Sequence, residues 1–597
     1  MTSSSELDTD TLRQKYRVER DKRIRAVGRH QYARLETPVD DRGDPHEPMP
    51  DREPRADHTT VVCIGGGFAG LVTGVRLKEA GIGDVRIIEQ GGDFGGTWYW
   101  NRYPGAQADT HSLVYLPLLE ETGYIPTEKY PHGPEILEHC RRIGQQYDLY
   151  AQALFHTRVT DLAWDDSSSL WVIRTSHGDR ITAQFVVMGI GPLNIPKLPG
   201  IPGIDRFQGR SFHTSRWDFD YTGGSAAGDP MDRLGDKRVA IIGTGATAVQ
   251  CIPRLAKDCG ELYVFQRTPS SVDVRNNGPI DPIWFRQLDT PGWQQRWMEN
   301  FAANHVGESA AEDLVMDGWT EATRRFRAAI ERLPLHERTP SALSKVREEY
   351  DFQKMSEVRA RVDAVVKDND TAQKLKAWYS QVCKRPCFHD DYLTAFNNPS
   401  THLVHTDGKG VECITETGVI ACGREWEVDC IIYASGFEVG TPFTDRAGFE
   451  ITGRNGTTLS KHWADGTRSL HGLQVRHFPN AFVVQPFQGS NFLTNIPHDI
   501  VESAKTIAAI VRYTLDEGHS EVEPSDAGEQ AWVESILSET GSLRGSPECT
   551  PGLYNNEGSP QELSHRLDSG YRGGPLAYFR HMQRWRMAGT FQDLEFK

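Results

Sequence analysis

The sequence predicts an α/β protein with two Rossmann-like dinucleotide-binding domains and a helical insertion. Two strand–glycine turn–helix units carry that prediction, at residues 59–80 and 238–257. In each, backbone N–H groups and a helix N-terminus converge where a pyrophosphate can sit. The third observation is residues 282–379, rich in Trp, Arg, Glu and Ala with helical periodicity, which interrupt the second unit.

Composition narrows the class. The chain has 597 residues, 66 Lys+Arg against 82 Asp+Glu, and a net charge of −16. Such a length suits several domains, and a strong negative balance argues against a nucleic-acid partner. No run reaches the eighteen or so apolar residues of a membrane span. The first ten residues are polar and acidic rather than signal-like. Ten cysteines scattered without a dense pattern favour a reducing, cytoplasmic setting.

In chain order, residues 7–25 predict a helix, with Asp8 and Asp10 at its positive end and charges of alternating sign beyond. Residues 38–54, rich in Pro and charge, predict a linker. The whole extension, 1–57, reads equally as a solvated arm or as a packed segment. Organised sequence begins at His58. A strand at 59–64, the turn at 65–70, a helix at 71–80 and a strand at 85–89 open the first domain, 58–195. The second, 196–390, contains a flexible loop at 223–230, the strand 238–242, its turn and helix, the strand 262–265 and the insertion. Residues 391–597 are expected to return to the first domain, with buried strands at 431–433 and 482–484.

The two turns differ in their partners. Gly65-Gly66-Gly67-Phe68-Ala69-Gly70 is a G-x-G-x-x-G followed, at the next strand's end, by Glu89. An acid at that spacing suits ribose hydroxyls. Gly243-Thr244-Gly245-Ala246-Thr247-Ala248 is a G-x-G-x-x-A whose equivalent position holds Arg267, followed by Thr268. A cation and a hydroxyl suit a 2′-phosphate that an acid would repel. FAD at the first turn and NADPH at the second is the simplest pairing. Residues 91–97, GGDFGGT, lead into TWYWNRYPG without the cysteine pair of a thiol relay, leaving oxygen as the electron acceptor.

Between the two turns lies Phe207-x-Gly209-x-x-x-His213-x-x-x-Trp217-Asp218. This matches every specified position of F-x-G-x-x-x-H-x-x-x-W-[P or D], and the chain resembles the type I Baeyer–Villiger monooxygenases from about Thr60 to Asn495. GGTWYWNRYPGA at 95–106, QRTP at 266–269 and CKRP at 383–386 support the resemblance. The N-terminal extension is similar to that of members acting on large or polycyclic ketones, including cyclopentadecanone monooxygenase and the pentalenolactone-pathway enzymes of antibiotic biosynthesis.

The resemblance implies an FAD- and NADPH-dependent enzyme that inserts one oxygen atom of O2 beside a ketone carbonyl, giving an ester or lactone. It implies that Arg385 stabilises the anions of oxygen insertion and that Asp109 positions it. Thr97, Trp98, Asp109 and Tyr115 would contact the flavin, Val159 would lie near its adenine, and Lys384 would join Arg267 and Thr268 at the 2′-phosphate. His213 would act on domain motion. The chain departs from the family at Met188-Gly189-Ile190-Gly191 and Ala434-Ser435-Gly436, the two crossovers, and at Leu553-Tyr554, where the C-terminal loop often carries Trp before Tyr.

Two other readings use the same nucleotide sites: an N- or S-oxygenating flavin monooxygenase, and a non-catalytic flavin redox sensor. No metal site is expected. Cys383, Cys387 and His389 fit no common zinc spacing, and the cysteines are expected to pack as small apolar groups. Trp284 and Trp293 are expected in the core of the insertion, and His389-Asp390-Asp391 in a structural loop.

Overall fold

The structure is a computed structural model that describes residues 9–25, 28–33, 44–288, 290–306, 310, 312–484, 487–490, 495–538, 546, 548–558, 566–571 and 573–597. Two sheets organise it. The first has seven strands. Its centre is Ala56–Ile64, parallel to Val85–Ile88 on one side and to Arg180–Met188 on the other, with Ile64 opposite both Ile88 and Met188. Val61, Val62 and Cys63 are fully buried, the continuous apolar run that a strand covered on both faces requires. Leu170–Thr175, Val159–Asp165 and Ile451–Thr452 extend the sheet outward, and Ala481–Val483 pairs parallel with the end of Arg180–Met188.

The helix Phe68–Glu79 leaves the first turn almost wholly buried. Its Val72 and Val75 share one apolar core with Ala504, Ile507 and Val511 of the long helix Ile496–Asp516. The C-terminal part of the chain therefore completes the first domain.

The second sheet is all parallel, in the order Thr401–His405, Glu261–Gln266, Arg238–Ile242, Cys430–Tyr433 and Arg210–His213. Two of its strands follow residue 390. Sheet membership thus returns to the first domain only after Tyr433, later than the division expected at 390/391. The reason is that a parallel strand finds its partner across the sheet, not along the chain. The two domains are joined where the crossovers run side by side: Lys197 N donates to Gly436 O at 2.9 Å and Glu438 N to Ile195 O at 3.0 Å.

The insertion is helical, with Pro282–Leu288, Trp293–Val306, Gly318–Glu331, Pro340–Val365 and Asn369–Leu375. It does not stand apart. Trp293, Trp297 and Phe301 form one core with Leu113, Val114 and Leu116 of the first domain. Trp293 is buried as expected, whereas Trp284 is 38% exposed.

Where it is described, the N-terminal extension is packed rather than solvated. Its helix, Thr9–Asp21, lies on the insertion: Arg13 pairs with Glu348 at 2.6 Å, and the Tyr16 ring meets Phe352 edge-on at 5.6 Å. Further on, Asp44 accepts from Gly92 N at 2.9 Å and from the Tyr99 hydroxyl. Arg52 pairs with the buried Asp179 at 2.6 Å. Several of its charges are paired with other parts of the chain, which composition alone does not reveal.

One expectation is overturned outright. Cys383 is bonded to Cys549, 166 residues away, so it is neither a free apolar filler nor a possible thiolate ligand. Cys387 remains a free, buried thiol.

Candidate active site

Both turns have the geometry a nucleotide needs. Gly65 adopts φ +106°, and a Cβ there would lie 2.8 Å from the Gly189 carbonyl oxygen. At Gly70 a Cβ would fall 1.9 Å from Gly65 O, so the helix could not approach the strand. In the second turn Gly243 has φ +114° and a Cβ there would lie 2.5 Å from Ala434 O, while a Cβ on Gly245 would meet nothing within 4 Å, leaving that side open to a phosphate. Ala248 is fully buried behind it, and Thr244 Oγ1 donates to Thr268 O at 2.8 Å.

Glu89 is buried at the floor of the first turn and accepts from Gly66 N at 2.5 Å and Gly91 N at 2.7 Å. Burial raises its pKa, against the pull of those two N–H groups. The carboxylate thus fixes the turn itself, and it also lines the large cavity described next.

That cavity, of about 2430 Å³, runs between the two domains and the insertion. Of the residues expected to touch flavin, Gly65, Gly67, Phe68, Ala69, Thr97, Trp98, Asp109, Tyr115 and Val159 all line it, as do Thr247, Lys384 and Arg385. Trp98 donates its indole N–H to Tyr115 Oη at 3.0 Å, and burial raises the pKa of that phenol. Arg267, Thr268, Gly243, Gly245 and the motif residues 207–218 are not among its walls.

Arg385 Nη2 donates to Asp109 Oδ1 at 2.8 Å. The neighbouring carboxylate raises the guanidinium's pKa above its ordinary value, so it stays charged through any working pH. The arginine's side chain is 45% exposed, and since it is a cavity wall this exposure faces the internal space where a reactant would lie.

A second cationic centre surrounds Arg267. Its guanidinium donates to Gln31 Oε1 at 2.5 Å and lies 3.7 Å from Glu557 of the C-terminal segment. Lys384 belongs to the same group of charges: burial first, and then Arg267, lower its pKa to about 8, while Glu557 opposes them. The Thr268 hydroxyl is buried without a hydrogen-bond partner. With Arg25 close by as well, three cations, one carboxylate and an unsatisfied hydroxyl form a set suited to an anion such as a 2′-phosphate.

The motif residues sit at the domain junction. Gly209 has no room for a side chain, since a Cβ would lie 2.5 Å from Phe207 Cζ and 2.7 Å from Asp429 O. Trp217 is buried and donates to Thr222 Oγ1 at 3.1 Å, and Asp218 binds Arg210 and caps the helix Phe219–Thr222 through Tyr221 N. His213 ends its strand opposite Tyr433, with its ring 5.5 Å from Phe437 on the returning crossover. Burial pushes its pKa down to about 3, keeping it neutral.

Comparison with known proteins agrees with this geometry. Residues 62–284 match the family described as Pyridine nucleotide-disulphide oxidoreductase. The chain is 50% identical to neopentalenolactone D synthase of Streptomyces avermitilis over 99% of its length and 100% of that protein. It is 46% identical to a Baeyer–Villiger monooxygenase of Stachybotrys chlorohalonatus, covering 98% and 94%. Among solved structures, the polycyclic ketone monooxygenase of Thermothelomyces thermophila superposes with a TM-score of 0.90 at 37% identity over the full length of both chains. The chain belongs to the Baeyer–Villiger monooxygenases.

In this monooxygenase, several residues at the site carry no motif. The disulfide fixes the C-terminal segment beside Lys384, whose Nζ lies 3.2 Å from where a Cβ on Gly552 would be. Tyr554, at the position where the family often has aromatic residues, lines the cavity near Arg385. Glu557 and Gln31 face Arg267. Apart from Tyr554, nothing in the local sequence marks them, because each acts through a partner far along the chain. The His389-Asp390-Asp391 stretch is structural: Asp390 accepts from Arg275 N and Asn276 N, and His389 accepts from Asp391 N.

Proposed function

We propose that this monooxygenase inserts one oxygen atom of O2 beside the carbonyl of a large cyclic or polycyclic ketone, of the terpenoid class, giving an ester or lactone. The observation that carries the reading is the Arg385–Asp109 pair, aimed into a cavity that also takes in the first glycine turn and the Lys384 edge of the second site. The relatives support the ketone class, since their names refer to neopentalenolactone D synthesis and to polycyclic ketones. A cavity of about 2430 Å³ that borders the first glycine turn has room for a bulky ketone beside FAD.

The enzyme uses FAD and NADPH. FAD supplies the activation of O2 with electrons from NADPH and the transfer of oxygen to the carbonyl. The chain's own residues bind, orient and exclude water. The Gly65 turn and Glu89 receive the FAD pyrophosphate and ribose. The Gly243 turn with Arg267, Thr268 and Lys384 receives NADPH. Asp109 holds Arg385 in one direction, and the fixed charge of that guanidinium would stabilise negative charge on an oxygen placed in the cavity. Trp98, Tyr115 and Phe68 wall the site with aromatic surface, which keeps it dry. His213, against Phe437 on the returning crossover, and the buried Trp217 would brace the domain junction.

Mass spectrometry of products from a panel of mono- and polycyclic ketones, with NADPH and O2, tests the reading. The expected product is the ketone mass plus one oxygen. Oxidation of amines or sulfides alone would favour the heteroatom-oxygenating reading, and NADPH consumption independent of every ketone would favour the sensor.

A further inference from the structure

We infer that Trp319, on the helical insertion, is a positioning residue for the Arg385–Asp109 pair; the inference rests on the role given to that pair above. The Trp319 indole N–H donates to the main-chain carbonyl of Asp109 at 2.6 Å. The same ring lies 5.6 Å from the guanidinium carbon of Arg385, within the range of a cation–π contact. One side chain thus touches both members of an ion pair whose own hydrogen bond is 2.8 Å, and it does so from a third element of the fold.

Trp319 is itself held firmly. Asp317 caps the helix Gly318–Glu331, accepting from Trp319 N at 2.9 Å and Thr320 N at 3.3 Å. The indole ring lies 5.2 Å from Phe388, three residues beyond Arg385, and His305 meets it edge-on at 5.7 Å. Gly318 allows this approach, because a Cβ there would fall 2.2 Å from the Phe388 ring. The insertion therefore grips the Asp109 loop and the 385–388 segment with one residue.

Trp319 also borders the cavity, so contact with the ketone is the competing role. The geometry favours positioning. Tryptophan has a single donor, and here that donor is already committed to Asp109. What the ring adds is the direction of the guanidinium, and misplacing a charged group by an ångström can cost about a hundredfold in rate.

The test compares wild type, Trp319→Phe, Trp319→Ala and Arg385→Ala as FAD-loaded enzymes. Four quantities are read: FAD stoichiometry, the anaerobic rate of flavin reduction by NADPH, ester formed per NADPH, and the visible absorption bands of the bound flavin. Phenylalanine keeps a ring and loses the N–H, so the ester yield should fall about threefold. Alanine loses both, and the yield should fall at least tenfold, through kcat rather than KM, with hydrogen peroxide making up the balance. Stoichiometry and reduction should stay within about twofold of wild type. The flavin bands of Trp319→Ala should move part of the way towards those of Arg385→Ala. If Trp319→Ala fails to load FAD, Trp319→Phe decides on the same readouts. An unchanged yield and unchanged bands, or a rise in the ketone's KM at constant yield, would overturn the inference. A wild-type enzyme that makes no ester from any ketone would instead overturn the functional reading. The band comparison between Trp319→Ala and Arg385→Ala would still judge Trp319.

Discussion

Removing Arg385 should separate oxygen insertion from every earlier step. The residue belongs to neither glycine turn, so Arg385→Ala should still bind FAD and still be reduced by NADPH. What it loses is a permanently charged donor facing the cavity. Loss of one such donor typically costs about 3–4 kcal/mol, or a hundred- to thousandfold in rate. Asp109 can be weighed separately. At the observed 2.8 Å, two unit charges attract by about 6 kcal/mol at an effective dielectric constant of 20. That is a ceiling, because the guanidinium is 45% exposed to the cavity and solvent there screens it. Losing this attraction does not discharge Arg385, whose intrinsic pKa is far above neutrality. Asp109→Ala therefore sacrifices direction but not charge, and its ester-forming kcat should fall by only about tenfold. Stopped-flow reduction and reoxidation, with ester and hydrogen peroxide quantified together, is the assay. If Arg385→Ala shows only a raised KM for NADPH and a normal ester yield at saturation, the arginine serves the coenzyme alone and the argument fails.

Three further outcomes follow from the cationic centre and its cover. Arg267→Ala should lower the preference for NADPH over NADH at least tenfold, since a charge-assisted hydrogen bond contributes about 1.5–3 kcal/mol; kcat/KM for both coenzymes measures it, and an unaltered ratio would place the phosphate elsewhere. Lys384, with a pKa lowered to about 8, is charged below that pH and neutral above it, so NADP⁺ affinity should decline as pH rises from 7 to 9.5. Titrations across that interval should show the decline in wild type and its loss in Lys384→Met; a flat wild-type profile would contradict it. Reducing the Cys383–Cys549 bond with dithiothreitol should weaken NADP⁺ binding several-fold without altering FAD content, because it frees the segment lying over Lys384 while Glu557 stays held at Arg267 by Gln31 and Tyr32. Cys549→Ser should bind NADP⁺ as weakly as the reduced enzyme and ignore the reductant, and equal affinity in all forms would show that the tether does not matter.

What was legible in the sequence is the spacing of the turns. Gly65, Gly70 and Gly243 could be read from that pattern; a Cβ at each would meet backbone within 3 Å, and only at Gly70, where that backbone is Gly65, is the partner near in sequence. The sequence motif was equally legible as a pattern, yet its physical content is long-range: Gly209 is pressed by Asp429, and His213 by Phe437. The same distinction explains the domain boundary. Thr401–His405 and Cys430–Tyr433 are ordinary apolar strands in sequence, and only their partners, Glu261–Gln266 and Arg238–Ile242, assign them to the second sheet.

The least legible segments meet at Arg267. Residues 9–57 read as polar and charged because their partners, Glu348, Asp407 and Asp179, lie elsewhere in the chain. Gln31 and Tyr32 from this extension meet Glu557 from the C-terminal segment, and together they enclose Arg267. A phosphate and the Glu557 carboxylate cannot both face that guanidinium without mutual repulsion. If Arg267 receives the coenzyme phosphate, as proposed, binding would be opposed by the Glu557 charge and favoured by that of Lys384. Glu557→Gln should thus strengthen NADP⁺ binding where Arg267→Ala weakens it. The opposite signs of those two variants, measured in one titration series, distinguish a phosphate site from an ion pair that merely holds the two ends of the chain together.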